Sequence, residues 1–179
     1  SSTAMGRGTI ASGNDSTAIG ANTEASGDYS TAMGVFTEAS GIVSIAMGYS
    51  TEASGHYSTS MGINTLASGR HSTSIGALTK ASDRSSLVIG EYNLAGSTVT
   101  SSADQFSLDN TAFVIGNGTP ENRSDALVVK FNGDATLAGN LNINSDARLK
   151  ANIVSLGSTL AKILQIDGKS YTMKKDESE

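Results

Sequence analysis

The chain has 179 residues, 37% of them apolar and 5% aromatic, with no Trp and one Pro, so no large globular core is on offer. It contains no cysteine, which excludes a disulfide framework and any thiolate metal site. The net charge of −5 is uneven, with 12 acidic and 6 basic residues in 1–144 and a slightly basic remainder, and no basic stripe of the kind that binds nucleic acid.

No run approaches the roughly 18 apolar residues of a membrane span, and the opening SSTAMG lacks the basic segment of a signal peptide. Because it opens inside a repeat, the chain is expected to be a piece of something longer. From Ser2 to Gly90 one sentence of sequence is written seven times with a period of 14. Ser recurs from Ser2 to Ser86 and Gly from Gly6 to Gly90, and the slot before that Gly is always Met or Ile. A second half-repeat places Thr at 9, 23, 37, 51, 65 and 79, each followed two residues later by Ala.

Fixed-period self-similarity implies a solenoid, whose units bury their apolar faces only by stacking. The runs are too short for helices, so the unit is two short strands and two turns, a flattened β-roll of 14-residue coils. Alternation puts Thr3 and Met5 on one face of the first strand and Ser2 and Ala4 on the other. The reading taken here is that Met and Ile, with Thr23, Ala25 and their equivalents, fill a thin interior. Glu24, Glu38 and Glu52 then lie on a wet face. Ala4, Ala18, Ala32, Ala46, Ser60 and Ser74 are read as a surface small enough for another copy to approach. One coil offers little apolar area at roughly 25 cal/mol per Å² against about 1.5 kcal/mol of ordering entropy per residue, so subunits are expected to share burial.

The repeats, as in Ser30 to Tyr49 (STAMGVFTEASGIVSIAMGY), resemble the head repeats of trimeric autotransporter adhesins. That resemblance implies a left-handed parallel β-roll with three chains around one axis, and a domain of seven repeats over 1–91. The period ends where Asp83 replaces the expected Gly. Residues 92–144 read as a β cap or transition and a candidate recognition unit. Within it, Ala112 to Gly116 echoes the repeat, Ala126 to Phe131 is a strand, and Asn132-Gly133 is a hairpin turn. Phe113 and Arg123 are its candidate binding residues.

In the tail, Leu156, Leu160, Ile163 and Leu164 predict an amphipathic helix from Ser155 or Ser158 to Gln165, and a strand follows from Lys169 to Met173. The string Ser145 to Ile153 (SDARLKANI) resembles the start of the intramolecular chaperone domain of phage tail spikes and endosialidases, classed with the S74 peptidases. That resemblance covers 145–179. It implies a domain that trimerises the preceding fibre and then cuts itself off, with Ser145 attacking the carbonyl of Asn144 and Lys150 as base. The alternative for Ser145 and Asp146 is a turn or helix cap. Lys150 can accept the proton only if burial or charge lowers its pKa. The family domain runs on into long helices, so the chain ending at Glu179 is expected to remain uncut.

Other chemistry is sparse. His56 and His71 occupy different repeat slots, and the Glu24, Glu38 and Glu52 column reads as a solvated edge, so neither metal nor cofactor is expected. The expected function is a homotrimeric surface or phage fibre that attaches to a glycan or protein on a target cell, located outside the cell or on a virion. The alternatives are part of an endosialidase-like tail-spike enzyme and an ice-binding solenoid.

Overall fold

In a computed structural model of the chain, residues 1–94 and 103–141 are described, and all their regular structure is strand. The chain divides into two compact units, Ser1–Leu141 and Asn142–Glu179, and every described residue falls in the first. The helix expected within 155–165 and the strand expected at 169–173 lie outside the described residues.

Each coil contributes one long and one short strand. In chain order these are β1 (Thr3–Arg7), β2 (Ile10–Ala11), β3 (Thr17–Ala21), β4 (Glu24–Ala25), β5 (Thr31–Val35), β6 (Glu38–Ala39), β7 (Ile45–Tyr49) and β8 (Glu52–Ala53). The series continues with β9 (Thr59–Ile63), β10 (Leu66–Ala67), β11 (Thr73–Ala77), β12 (Lys80–Ala81) and β13 (Leu87–Glu91). After the aperiodic stretch come β14 (Thr111–Asn117), β15 (Asp125–Lys130) and β16 (Ala135–Leu137). The short strands stack into a six-stranded sheet, and the long ones stack into a ten-stranded sheet that β14, β15 and β16 extend.

Pairing within the roll is parallel and in perfect repeat register, so Thr17 faces Thr31 and Gly20 faces Gly34. The bulkier echo at 112–116 keeps that register, with Ile89 opposite Ile115 and Gly90 opposite Gly116. Only then does the sheet turn antiparallel, through β14–β15 and the hairpin β15–β16. Glycine is required where coils touch. Gly48 has φ +127, and a Cβ there would be driven into the carbonyl of Gly62 in the next coil. Two turns per coil also need positive φ, yet they use side chains, among them Phe36 at 55°, Val43 at 56° and Tyr57 at 60°. Each such L-residue is disfavoured by roughly 1–2 kcal/mol. The Val43 N–H donates to Asp28 O at 2.8 Å and the Phe36 N–H to Ala21 O at 3.0 Å, so stacking compensates the strain coil by coil.

The interior reverses one expectation. The long strand does alternate, but the buried set is Ala18, Ala32, Ala46, Ser60 and Ser74, all fully inaccessible, packed against Ala25, Ala39, Ala53 and Ala67 of the narrow sheet. Met and Ile do not fill the roll; they point outward, with Met33 39% and Met5 61% exposed. The reason is width. Sheets tied together by such short turns leave room for a methyl or hydroxyl on each side and not for a thioether. Thr23 and its equivalents are buried as expected, while Glu24, Glu38 and Glu52 are exposed.

Hydroxyls inside so dry a space matter. Ser60 Oγ lies 2.7 Å from Thr65 Oγ1 and Ser74 Oγ 2.8 Å from Thr79 Oγ1. Where Ala takes the Ser slot, Thr23, Thr37 and Thr51 bury a hydroxyl that has no partner among the described residues. On the outer face of the narrow sheet, Glu24, Glu38 and Glu52 pair directly along the stack. Partial desolvation, then the charges of Glu52 and Glu24, push the Glu38 carboxyl above its ordinary value.

Two predictions follow the interior and the outer ladder. Ser60→Ala, which orphans the Thr65 hydroxyl, costs about 1–3 kcal/mol in denaturant melts, whereas Ala46→Ser, which supplies Thr51 with a partner, gains about 1 kcal/mol. A carboxyl whose folded pKa is raised stabilises the fold below its unfolded pKa and loses that contribution as pH rises through the folded one. Glu38→Gln therefore raises the melting temperature at neutral pH, and its advantage over the parent shrinks as the pH falls towards 4.5, the ordinary Glu value.

Candidate functional site

With its small residues turned inward, the wide sheet presents a continuous apolar column to the outside. Register places Met5, Ile19, Met33, Met47, Met61, Ile75 and Ile89 one above another. Ile115, Leu127 and Leu137 continue the column across the last three strands. At about 4.8 Å per rung its ten side chains run for roughly 43 Å. A parallel column on the same face reads Thr3, Thr17, Thr31, Ile45, Thr59, Thr73, Leu87, Phe113, Val129 and Ala135. Apolarity therefore rises towards the C-terminal end of the sheet. Exposed, contiguous apolar surface on this scale marks an interaction face.

The far end of the roll is closed by polar side chains that take the place of the missing next coil. Within the roll, the first backbone N–H of each short strand donates to the Thr carbonyl of the following coil, as Leu66 N–H does to Thr79 O at 2.9 Å. At Lys80 the partner is a side chain. Asn93 Oδ1 accepts from Lys80 N–H at 2.7 Å, and Asn93 Nδ2 donates to Lys80 O at 3.0 Å. A single primary amide thus takes up both backbone groups of Lys80, on the last strand of the narrow sheet.

Asp83 performs the matching task on the other side. At Gly69 a Cβ would strike the Asp83 carbonyl of the coil above. Above Asp83 the regular coil has ended, so a side chain fits, and its Oδ2 accepts from Thr111 N–H at 2.9 Å and from the Thr111 hydroxyl. That carboxylate ties β14 to the roll. Neither Asp83 nor Asn93 was singled out as a functional residue from sequence. The signal was present: both fall in repeat slots, Asp83 in a Gly column and Asn93 in the Thr column.

The residues expected to form sites are dispersed. Phe113 is half-buried in the outer Thr column, beside Leu87 and Val129. The Arg123 guanidinium turns inward, with Nη1 donating to Leu78 O at 3.0 Å and Asn93 O at 2.9 Å and the group set 5.9 Å from the Tyr92 ring centroid. Arg123 thus belongs to the closure of the roll, and Phe113 to its exposed face. Asn144, Ser145 and Lys150 lie outside the described residues. Among the described residues no three of His, Asp and Glu are grouped to hold a metal, and no helix is long and apolar enough to cross a membrane. The Thr23 column is buried, so it does not offer the flat exposed ladder of an ice-binding face.

Comparison with known families agrees with this architecture. The profile of the YadA head domain repeat matches in six overlapping placements, from 1–23 through 67–91, and so spans half the chain. The profile described as the chaperone of endosialidase matches 145–179. No curated protein matches the sequence. The two profiles together mark an adhesin-like or phage-fibre-like segment. With in-register 14-residue coils over the whole matched span, the chain belongs to the YadA head-repeat family and carries the beginning of an endosialidase-type chaperone behind it.

Proposed function

We propose that this chain is a segment of a homotrimeric surface or phage fibre that attaches to a target cell, assembled with the help of the chaperone segment at 145–179. The observation that carries the reading is the ten-rung apolar column on the wide sheet. A roll whose interior holds only methyls and hydroxyls buries little apolar surface by itself, and its largest apolar side chains point away from its own core. Three copies turned with that face to a common axis bury the column along its whole length. Family repeats of this kind support three copies over two. Residues 1–91 then form the shaft of the head, 92–144 the recognition unit, and 145–179 the chaperone start.

Target recognition is assigned to 92–144 with a cell-surface glycan or protein as ligand; its exposed loops make the contact, and Phe113, on the face turned to the axis, and Arg123, which closes the roll, act on it by holding those loops in place. Aperiodic loops on a rigid scaffold are the usual seat of binding. The chain is not read as an enzyme acting on other molecules. The one reaction that the chaperone resemblance implies, which this chain is expected not to complete by itself, is a single self-cleavage: the Ser145 hydroxyl adds to the Asn144 carbonyl, Lys150 takes the serine proton and passes it to the leaving Ser145 nitrogen, and water then releases the acyl group from the serine oxygen.

Light scattering tests the assembly directly: the expected mass is three times 18.2 kDa, and a stably folded single chain in dilute solution would overturn the proposal. Met47→Asp, which forces three carboxylates together at the axis, costs at least about 3 kcal/mol per chain and abolishes the trimer. Glu52→Ala, on the opposite sheet, stays within about 0.5 kcal/mol of the parent. Ser145→Ala abolishes the product ending at Asn144 under any condition in which the unsubstituted chain yields it, by intact-mass measurement. Binding to a glycan array that survives Phe113→Ala and Arg123→Ala in a folded trimer moves recognition away from these two residues.

A further inference from the structure

The turns at the two ends of the long strands form two unlike flanks. The entering flank, just before each long strand, carries Asp15 and Asp28, then Ile42, Val43 and Tyr57, then Arg70 and Arg84. The leaving flank, at the last residue of each long strand and the turn that follows, carries Arg7, then Val35, Phe36, Tyr49 and Ile63, then Glu91. Read in the same direction, one flank runs acidic, apolar, basic and the other basic, apolar, acidic. The apolar members are large side chains left about half exposed, among them Val43 at 43% and Tyr49 at 49%. Val43, Tyr57 and Phe36 also sit at positive φ, where Gly or Asn would be less strained. Neither local folding nor solubility accounts for such residues there.

From this complementarity we infer that the entering flank of one copy docks against the leaving flank of the next, a heterologous contact that closes into a ring after three copies. The inference rests on the trimer proposed above and adds which surfaces make its seams. With the outer face of the wide sheet towards a threefold axis, the long strands run around that axis, so each entering flank meets a neighbour's leaving flank. On the same rung Arg84 then faces Glu91, and Ile42 and Val43 face Tyr49. Arg7 comes within one rung of Asp15. Rotation about a threefold axis itself keeps the chains parallel and brings each rung beside its own counterpart, so the alignment is fixed by symmetry and the seam by the residues that meet on each rung.

Groups already engaged do not reverse this pattern. Asp15 also holds the Ser1 ammonium, Asp28 Oδ1 accepts from Asn14, and Arg84 Nη1 donates to Asp104 O at 3.0 Å. At the top of the entering flank Arg70, Arg84 and Lys130 are balanced by Asp104, Asp109 and Asp134, so the seam there rests on the single pair of Arg84 with Glu91 and on the apolar rungs below.

The chain has no cysteine, so engineered thiols report contacts cleanly. Ile42 and Tyr49 stand on opposite flanks of one chain, about 16 Å apart across five strand residues, too far for an internal disulfide. Under mild oxidation the double variant Ile42→Cys with Tyr49→Cys is expected to convert most of the chain to covalent trimer on non-reducing gels. Each single variant is expected to give no covalent dimer. Double variants pairing Ile42→Cys with Val35→Cys or with Ile63→Cys test a shift of one rung either way. Efficient dimers from Ile42→Cys alone, or trimers by light scattering that none of the three double variants crosslinks, would overturn the flank pairing while leaving the trimer in place. A monomeric mass for the unsubstituted chain would instead remove the reading beneath it.

Discussion

The distance between the two sheets governs this molecule. A coil of 14 residues with a two-residue return strand brings the sheets so close that Ala, Ser and Thr fill the space between them, widening only to Val88 and Val114 at the C-terminal end, and Gly alone fits where backbones of adjacent coils touch. Side chains larger than Val are therefore expelled. Met and Ile go to the outer face of the wide sheet, and Tyr, Phe, Val and Ile go to the turns. Hydrophobic surface that a globular domain would bury within itself becomes surface that another chain must cover. In the proposed trimer, folding and association are coupled by this geometry.

The same constraint explains why departures from the repeat carry information. Inside the stack a side chain in a Gly slot is sterically excluded, so Asp83 can occur only where the next coil is missing. Asn93 is the counterpart in the Thr slot, with an amide that imitates one residue of an absent strand. These two residues mark the end of the regular parallel stack, Asn93 at Lys80 of the narrow sheet and Asp83 at Thr111 of β14. The wide sheet is then carried on by β14 and closed through an antiparallel hairpin. Arg123 secures that end from 30 residues further along the chain by donating to the Asn93 carbonyl.

Much of this was legible in the sequence because the repeat encodes it. The period gave coil length, strand positions and register, and the echo at 112–116 fell into line with Gly90 and Ile89. The orientation of the long strand was not legible from alternation alone. Periodicity of two separates Ala4 from Met5 but does not say which of them lies inside. Hydrophobicity pointed to Met and Ile as interior; volume decided for Ala and Ser. Had Ser60 and Ser74 been weighed as partners for Thr65 and Thr79, five residues on, the inward face would have been evident, since such hydroxyls pair only across a shared interior. The roles of Asp83, Asn93 and Arg123 required coordinates, because each acts on backbone groups of another coil.

The outer column is also suited in composition to a shared axis. In the proposed threefold arrangement three equivalent side chains meet at each rung, a space whose shape no single chain sets. Met, with three rotatable bonds and a polarisable sulfur, fills irregular space better than Leu, and it occupies four of the first five rungs. Thr beside it keeps the strand stiff and β-prone while limiting the hydrophobicity of the free chain. Towards the C-terminal end the pair becomes Leu87 with Ile89, Phe113 with Ile115, and Val129 with Leu127. The burial available from association is therefore greatest at the C-terminal end of the wide sheet. Assembly that begins there would extend along a face already held in register by the rung above. The least apolar coils, which have most need of such guidance, would join last.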